Sequence, residues 1–150
     1  MDPHAQQFLI SEFEALRREI DGNLAASRDL VSYALFTSAL IWTWLITKKP
    51  NEPLPHGVEF IAPLLSVLLG LRALTLTWQI GRIGEYILLV ESKLALPPGL
   101  GWETHFHSLG QYARLDLAVD ALWAMIIIAN TSAAIFYRKK RPKKNLIQKV

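Results

Sequence analysis

Long uncharged runs of apolar residues alternate with charged segments along this chain. The run 30–47 holds eighteen residues without a charge, between Asp29 and a pair of lysines. A helix of that length measures about 27 Å, close to the ~30 Å hydrocarbon core of a bilayer. A second uncharged run covers 121–137, and a third, 60–81, is interrupted only by Arg72. The pattern predicts an all-α integral membrane protein with three transmembrane helices.

A second pattern, with helical spacing, precedes the first run. Apolar residues recur there at steps of three and four on an otherwise charged segment: Leu9, Phe13, Leu16, Ile20 and Leu24. That spacing places them on one face, so we expect an amphipathic helix over 5–29. Gly22 and Asn23 have low helix propensity, which predicts a bend before a first span at 30–47.

The helical spacing continues beyond the second apolar run. Ile80, Ile83, Ile87, Val90 and Leu94 repeat at steps of three and four. One continuous helix is therefore predicted, with a transmembrane part and an amphipathic extension beyond the bilayer. The further expected segments are a proline-rich loop, the second span at 58–80 with its extension to 96, a short helix over 102–115, a third span at 117–137 and a disordered basic tail at 138–150.

Because consecutive spans are antiparallel, the three charged helical segments are expected on one side of the membrane, here called the helical face. It carries six basic and eleven acidic residues, whereas the proline-rich loop and the tail carry nine basic and two acidic ones. The positive-inside rule then predicts a multi-pass protein of the cell membrane with its C-terminal tail in the cytoplasm. Two of the helical segments carry apolar stripes, and each is the nearest partner for the other.

Enzymatic chemistry has little support in the residues. The chain has no cysteine, and neither a nucleophile–base arrangement nor a glycine-rich phosphate loop is recognisable. Glu103 and His107 share a helix face, but His105 points elsewhere and a zinc site needs three or four convergent ligands. Anchoring of a short helix at the membrane interface is the competing explanation for these residues. We expect a protein without catalytic residues, metal or cofactor.

Arg72 is the strongest polar signal inside an apolar run. A guanidinium within a span costs about 2.5–3.5 kcal/mol on insertion scales, so it is usually paired or faces water. Trp78 and Trp123 both resemble interface markers for the helical face, and Asp116 and Asp120 enter the third span from that face. The hypothesis is an Arg72–Asp120 pair that fixes helix packing. The alternatives are an arginine that reaches the lipid headgroups and a role in ion or ligand passage.

The third span also contains a small-residue patch with a polar centre. Asn130, Thr131 and Ser132 lie between Ala129 and Ala133. Such surfaces allow close helix approach and interhelical hydrogen bonds. The patch could serve packing within one chain or contact between copies, and the sequence leaves both open.

A basic cluster follows the third span directly: Arg138, Lys139, Lys140 and Arg141. In a soluble chain this cluster would suggest nucleic-acid binding. Directly after a span, attraction to anionic lipid headgroups is the simpler explanation, so membrane lipids are predicted partners and nucleic acid is not.

Three segments resemble a recurrent pattern in small bacterial membrane proteins of uncharacterised activity: 12–20 (EFEALRREI), 80–87 (IGRIGEYI) and 101–103 (GWE). Those proteins have an amphipathic lead helix, a two-span hairpin with a long second helix, and a final span. The resemblance implies a bacterial origin and this architecture, and it implies no mechanism.

Together these patterns predict a non-enzymatic membrane protein that self-associates, as a homo-oligomer, or docks a partner through the helical face. The alternative is an oligomeric pore-forming or membrane-disrupting effector. Its channel would be lined by Arg72, Asn130 and the acids of the third span.

Overall fold

The computed structural model describes residues 3–48, 54–94, Gly101, Thr104 and 111–140, with the side chains of 111–116 outside the description. Its regular elements are all helical within those ranges. They are α1 (Pro3–Thr47), a single 3-10 turn (Val58–Phe60) that leads into α2 (Ile61–Lys93), and α3 (Gln111–Lys140). All three helices are long and apolar enough, by length and composition, to cross a membrane.

The lead segment and the first apolar run form one helix. α1 continues without interruption through Gly22 and Asn23, so the two segments predicted at 5–29 and 30–47 are not separate elements. Low local propensity does not decide the outcome here because tertiary packing along the whole length of α1 outweighs it. At 1.5 Å per residue, α1 is about 68 Å long.

α1 and α2 form an antiparallel hairpin. The hydroxyl of Tyr86 donates to Glu12 Oε1 over 3.0 Å, while Ser38 and Ser66 meet at a single amide further along the pair. The buried and half-buried positions of α1 follow steps of three and four: Leu9, Phe13, Leu16, Ile20, Asn23, Ser27, Leu30, Ala34, Ser38, Ile41 and Leu45. α2 carries a matching stripe: Ala62, Ser66, Leu69, Ala73, Leu76, Ile80, Ile83, Ile87, Val90 and Leu94. Of the apolar stripe predicted in α1, Leu9, Phe13, Leu16 and Ile20 are half-buried, whereas Leu24 is exposed.

The hairpin begins at a tight turn on the loop side. Gly57 has a φ of 85°, a backbone conformation that a residue with a Cβ rarely adopts, and its carbonyl accepts from the Phe60 N–H at 2.9 Å. The turn starts α2 at the position expected from the sequence. Pro63 then occupies its first turn, where a missing N–H donor is tolerated.

α3 packs against α2 and extends beyond the predicted limits of the third span. It starts at Gln111, within the segment assigned to a separate short helix, and ends at Lys140, within the segment assigned to a disordered tail. Positive charge in the last turn of a helix is favourable because it faces the negative end of the helix dipole. The predicted segments 102–110 and 141–150 lie outside the described residues, except for Thr104.

Most of the apolar surface of the helices is not covered by the chain itself. Only 17%, 33% and 22% of the residues in the most apolar windows of α1, α2 and α3 are buried. The core is correspondingly small and centres on Ala34, Ala73, Trp123 and Ile126.

Candidate functional site

The three helices meet at one buried amide. Asn130 of α3 is 6% exposed, and its Nδ2 donates to Ser38 Oγ of α1 at 3.1 Å and to Ser66 Oγ of α2 at 3.0 Å. Its Oδ1 accepts from Trp42 Nε1 at 2.8 Å. An indole N–H can only donate, so the amide oxygen must face Trp42 and the amide nitrogen must face the serines. The contact fixes the register of all three helices.

Neighbouring groups hold this amide in place. Asn130 Nδ2 also lies 3.1 Å from the Ile126 carbonyl, and the Ser66 hydroxyl donates to the Ala62 carbonyl at 2.9 Å. Tyr137 lies edge-on to Trp42, with ring centroids 6.3 Å apart, and its hydroxyl donates to the Leu45 carbonyl at 2.9 Å. The polar centre of the patch in α3 therefore serves packing within one chain.

Close approach of α2 and α3 depends on Gly70. A Cβ placed there would lie 3.3 Å from Trp123 Cε3 and 3.7 Å from Ile127 Cδ1. Trp123 is only 3% exposed. The interpretation of Trp123 as an interface marker was therefore wrong, because the ring packs against the space left by the missing Gly70 side chain.

Trp42, Ser66 and Gly70 were not predicted from the sequence as site residues. A signal for two of them was present, since Ala62, Ser66 and Gly70 repeat at intervals of four along α2. Small residues at that interval form a groove into which a second helix fits. Trp42 had no comparable signal, because an indole in an apolar run is compatible with any helix face.

An open groove of about 330 Å³ runs between α2 and α3 beside this contact. Its lining is almost wholly apolar, with Asp120 as the one acidic residue: Val67, Gly70, Leu71, Leu74, Asp120, Trp123, Ala124 and Ile127. The indole nitrogen of Trp123 is buried and has no hydrogen-bond acceptor among the described residues. The groove thus combines an apolar floor with a carboxylate.

Arg72 and Asp120 are both exposed and form no ion pair with each other in the described part of the chain. Arg72 Nη1 instead lies 3.5 Å from Thr75 Oγ1, one turn further along α2, and Arg72 is not among the residues that line the groove. The hypothesis of an Arg72–Asp120 pair within one chain is therefore wrong, because Asp120 of α3 lines the groove and Arg72 lies on a side of α2 that does not face it. Asp116 belongs to α3, but its side chain is outside the described residues.

Basic side chains lie over aromatic rings near both ends of the long uncharged runs. At the loop end, Lys48 lies 5.6 Å from the Trp44 ring centroid and Lys140 lies 4.5 Å from that of Phe136. Arg138 lies 5.8 Å from the Phe60 ring centroid at the same end. At the opposite end, Arg82 lies 5.0 Å from the ring centroid of Trp78.

A buried carboxylate lies near the end of α2. Glu91 is 3% exposed, and its Oε2 accepts from the backbone N–H of Thr104 at 3.1 Å and from the Thr104 hydroxyl at 2.9 Å. A Cβ at Gly101 would collide with that carboxylate, so a larger residue there would displace the end of the Glu91 side chain. These hydrogen bonds join Thr104 to the end of α2. Glu103, His105 and His107 lie outside the described residues, and the described part contains no cluster of three metal-ligand side chains.

The contact between Glu12 and Tyr86 predicts a titration that reports on hairpin pairing. The hydrogen bond to Glu12 and its negative charge raise the pKa of Tyr86 above the ordinary 10.0. The contact therefore stabilises the hairpin below pH 10.0, and its contribution is lost as the pH rises through the raised pKa of Tyr86. Glu12→Gln should lower the pKa of Tyr86, as followed by tyrosinate absorbance. Glu14→Gln is the matched control, and identical titration curves for both variants would contradict the contact.

Comparison of the chain with protein-family models, with curated proteins and with solved structures finds no match. The function of the chain is therefore inferred from its own residues and their arrangement.

Proposed function

We propose that this chain is a non-enzymatic integral membrane protein of bacterial type. It acts by self-association, or by binding a partner protein, through its helical face. The observation that carries the proposal is the paired α1–α2 hairpin, which continues well beyond the apolar windows. Because the two helices are already paired, binding through this hairpin would not lose conformational entropy to fold the surface.

The spacing of the cation–aromatic pairs supports insertion into a bilayer. Phe60, the residue before α2, and Trp78 of α2 stand eighteen residues apart, which corresponds to about 27 Å and matches the thickness of the hydrocarbon core. Aromatic rings and basic side chains collect at the membrane interface. The low coverage of the apolar windows has the same explanation, because lipid would solvate what the chain leaves exposed.

In this frame the hairpin beyond Trp78 forms an amphipathic arm outside the bilayer. The arm consists of the first part of α1 and the part of α2 after Arg82, and its far end carries exposed apolar side chains. Phe8 is 64% and Leu89 is 61% exposed, and Ile10 is also exposed. The Glu12–Tyr86 hydrogen bond places these residues at the same end of the arm. Phe8 and Leu89 are exposed apolar side chains of the kind that the centre of a docking surface requires, whereas Ile10 lies about 200° around α1 from Phe8.

The excess of basic residues on the loop and tail supports an orientation with that side in the cytoplasm and the arm outside. Arg138, Lys139 and Lys140 form the last turn of α3 and are exposed, so they can bind anionic lipid headgroups. Arg141 continues the same cluster in the sequence.

Cross-linking from the arm tests the proposal. The chain contains no cysteine, so Ile10→Cys introduces a single thiol at an exposed position of the arm. In native membranes a thiol cross-linker should convert this variant to a defined larger species. Phe8→Ser with Leu89→Ser should abolish that species, because the substitutions remove the apolar contact. Ser11→Ala with Ser92→Ala is the matched control on the same arm. A monomer under all conditions would contradict the proposal.

Dye retention separates this function from the pore alternative. Liposomes that contain the purified protein should stay sealed, because Asn130 is buried between helices and shares no surface with Arg72 or Asp120. Leakage that Arg72→Leu abolishes would instead favour a pore.

A further inference from the structure

We infer that a second copy of this chain docks in the groove between α2 and α3 within the bilayer, with its Arg72 at Asp120 of the first copy. The inference rests on the proposed membrane insertion and names a contact that is separate from the arm.

The two charges lie at the same depth. Antiparallel packing of Ser66 against Asn130 and of Gly70 against Trp123 places Asp120 level with Thr75 and Leu76. Arg72 begins one turn deeper, but its Nη1 reaches Thr75 Oγ1 at 3.5 Å. Helical side chains ordinarily lean toward the N-terminus of their helix, whereas this one extends toward the C-terminus. The guanidinium therefore lies at the level of the carboxylate.

Within one copy the charges cannot meet, because α2 stands between them. At about 100° per residue, the groove-lining residues Val67, Gly70, Leu71 and Leu74 occupy one sector of α2. Arg72 lies roughly 150° from the middle of that sector, on the other side of the stripe that faces α1. Each copy thus presents a cation on one flank and an acid-bearing groove on the other.

Both charges have a strong reason to find partners. An arginine or an aspartate inside a span is costly and is usually paired or faces water. Side by side in the same bilayer orientation, two copies would bring Arg72 of one to Asp120 of the other at equal depth. The leucines around Arg72 would lie on the apolar floor of the groove, so charge and shape both match a second copy.

The contact joins unlike surfaces, which makes it head-to-tail. Such contacts close into a ring when the rotation between copies permits it. In the ring, the groove of each copy contacts the Arg72 flank of its neighbour. A two-fold dimer would instead bring the same flank of both copies together, so the Arg72 flank of one copy could not contact the groove of the other. This difference gives the inference a direct experimental test.

Paired cysteines distinguish the two arrangements. Leu68→Cys lies on the surface one turn from Arg72, and Ala124→Cys lines the groove. In liposomes with both variants in equal amounts, a short thiol cross-linker should join Leu68→Cys copies to Ala124→Cys copies. Samples of either variant alone should give at least tenfold less product.

The placement of a third substitution provides the internal control. Arg72→Leu in the Leu68→Cys copy removes the guanidinium from the labelled contact and should lower the mixed product at least tenfold. The same substitution in the Ala124→Cys copy should leave the product unchanged, because that copy contributes only Asp120. Exchange of the charges, with Arg72→Asp in the first copy and Asp120→Arg in the second, should restore the product.

Several results would overturn the inference. They are products between identical variants, an equal loss for both placements of Arg72→Leu, and absence of mixed product at every protein density. The arm cross-link at Ile10→Cys, measured on the same chain, keeps the two proposals apart. Arm product without mixed product rejects the groove contact alone, and mixed product without arm product rejects docking through the arm alone.

Discussion

Replacement of Asn130 with leucine is expected to lower the free energy of unfolding in lipid-like micelles by about 2–4 kcal/mol. The substitution removes hydrogen bonds to Trp42, Ser38 and Ser66, which come from both other helices. Interhelical hydrogen bonds in membranes contribute about 0.6 kcal/mol on average and up to about 1.7 kcal/mol each. The Trp42 N–H would in addition be left without its acceptor in apolar surroundings.

The measurement is unfolding of the purified protein by titration with a denaturing detergent. Ser132→Ala is the matched control, since Ser132 is an exposed polar residue of the same helix and should change stability by less than about 0.5 kcal/mol. A double-mutant cycle of Asn130→Leu with Trp42→Phe isolates the indole contact. Additive effects of the two substitutions would show that this hydrogen bond contributes nothing.

Replacement of Gly70 with leucine is expected to separate α2 from α3 and to destabilise the protein by about 3 kcal/mol. Even a Cβ at this position would lie 3.3 Å from Trp123 Cε3, so a full side chain must displace the indole. Overpacking of this kind costs about 1–3 kcal/mol. The separation would also weaken the bond between Ser66 and Asn130. Gly70→Ala should have a smaller effect, since a shift of a few tenths of an ångström accommodates it.

Gly81→Leu is the matched control on the same helix, because a Cβ there meets nothing within 4 Å. It should be neutral or slightly stabilising, since leucine favours helix over glycine by nearly 1 kcal/mol. Trp123→Leu should rescue Gly70→Leu by returning the volume. Equal destabilisation by the substitutions at Gly70 and Gly81 would show that close approach of α3 does not depend on Gly70.

The polar residues of the apolar windows separate into two kinds. Asn130 is enclosed by the chain and contributes to its stability. Arg72 and Asp120 are exposed and form no ion pair with each other within one copy. A pore lined by all three would require surfaces that one chain does not bring together. The proposed contact between copies would give Arg72 and Asp120 a charged partner each.

Much of the architecture could be predicted from local patterns. Runs of uncharged residues predicted three helices apolar enough to cross a membrane, and steps of three and four predicted most of the half-buried positions at the start of α1 and the end of α2. These features follow from composition and helical periodicity, which are properties of short windows. The limits of the helices were less predictable, because Gly22 and Asn23 favour a break that packing along α1 overrides.

The role of single polar residues depended on the tertiary structure. Periodicity indicates which side of a helix is apolar, but not the angle at which a third helix meets the first two. That angle places Asn130 on Trp42, Ser38 and Ser66, and it leaves Arg72 and Asp120 on opposite flanks of α2. Sequence alone therefore identified which residues are polar within apolar surroundings, and only the packing of the helices decided which of them meet.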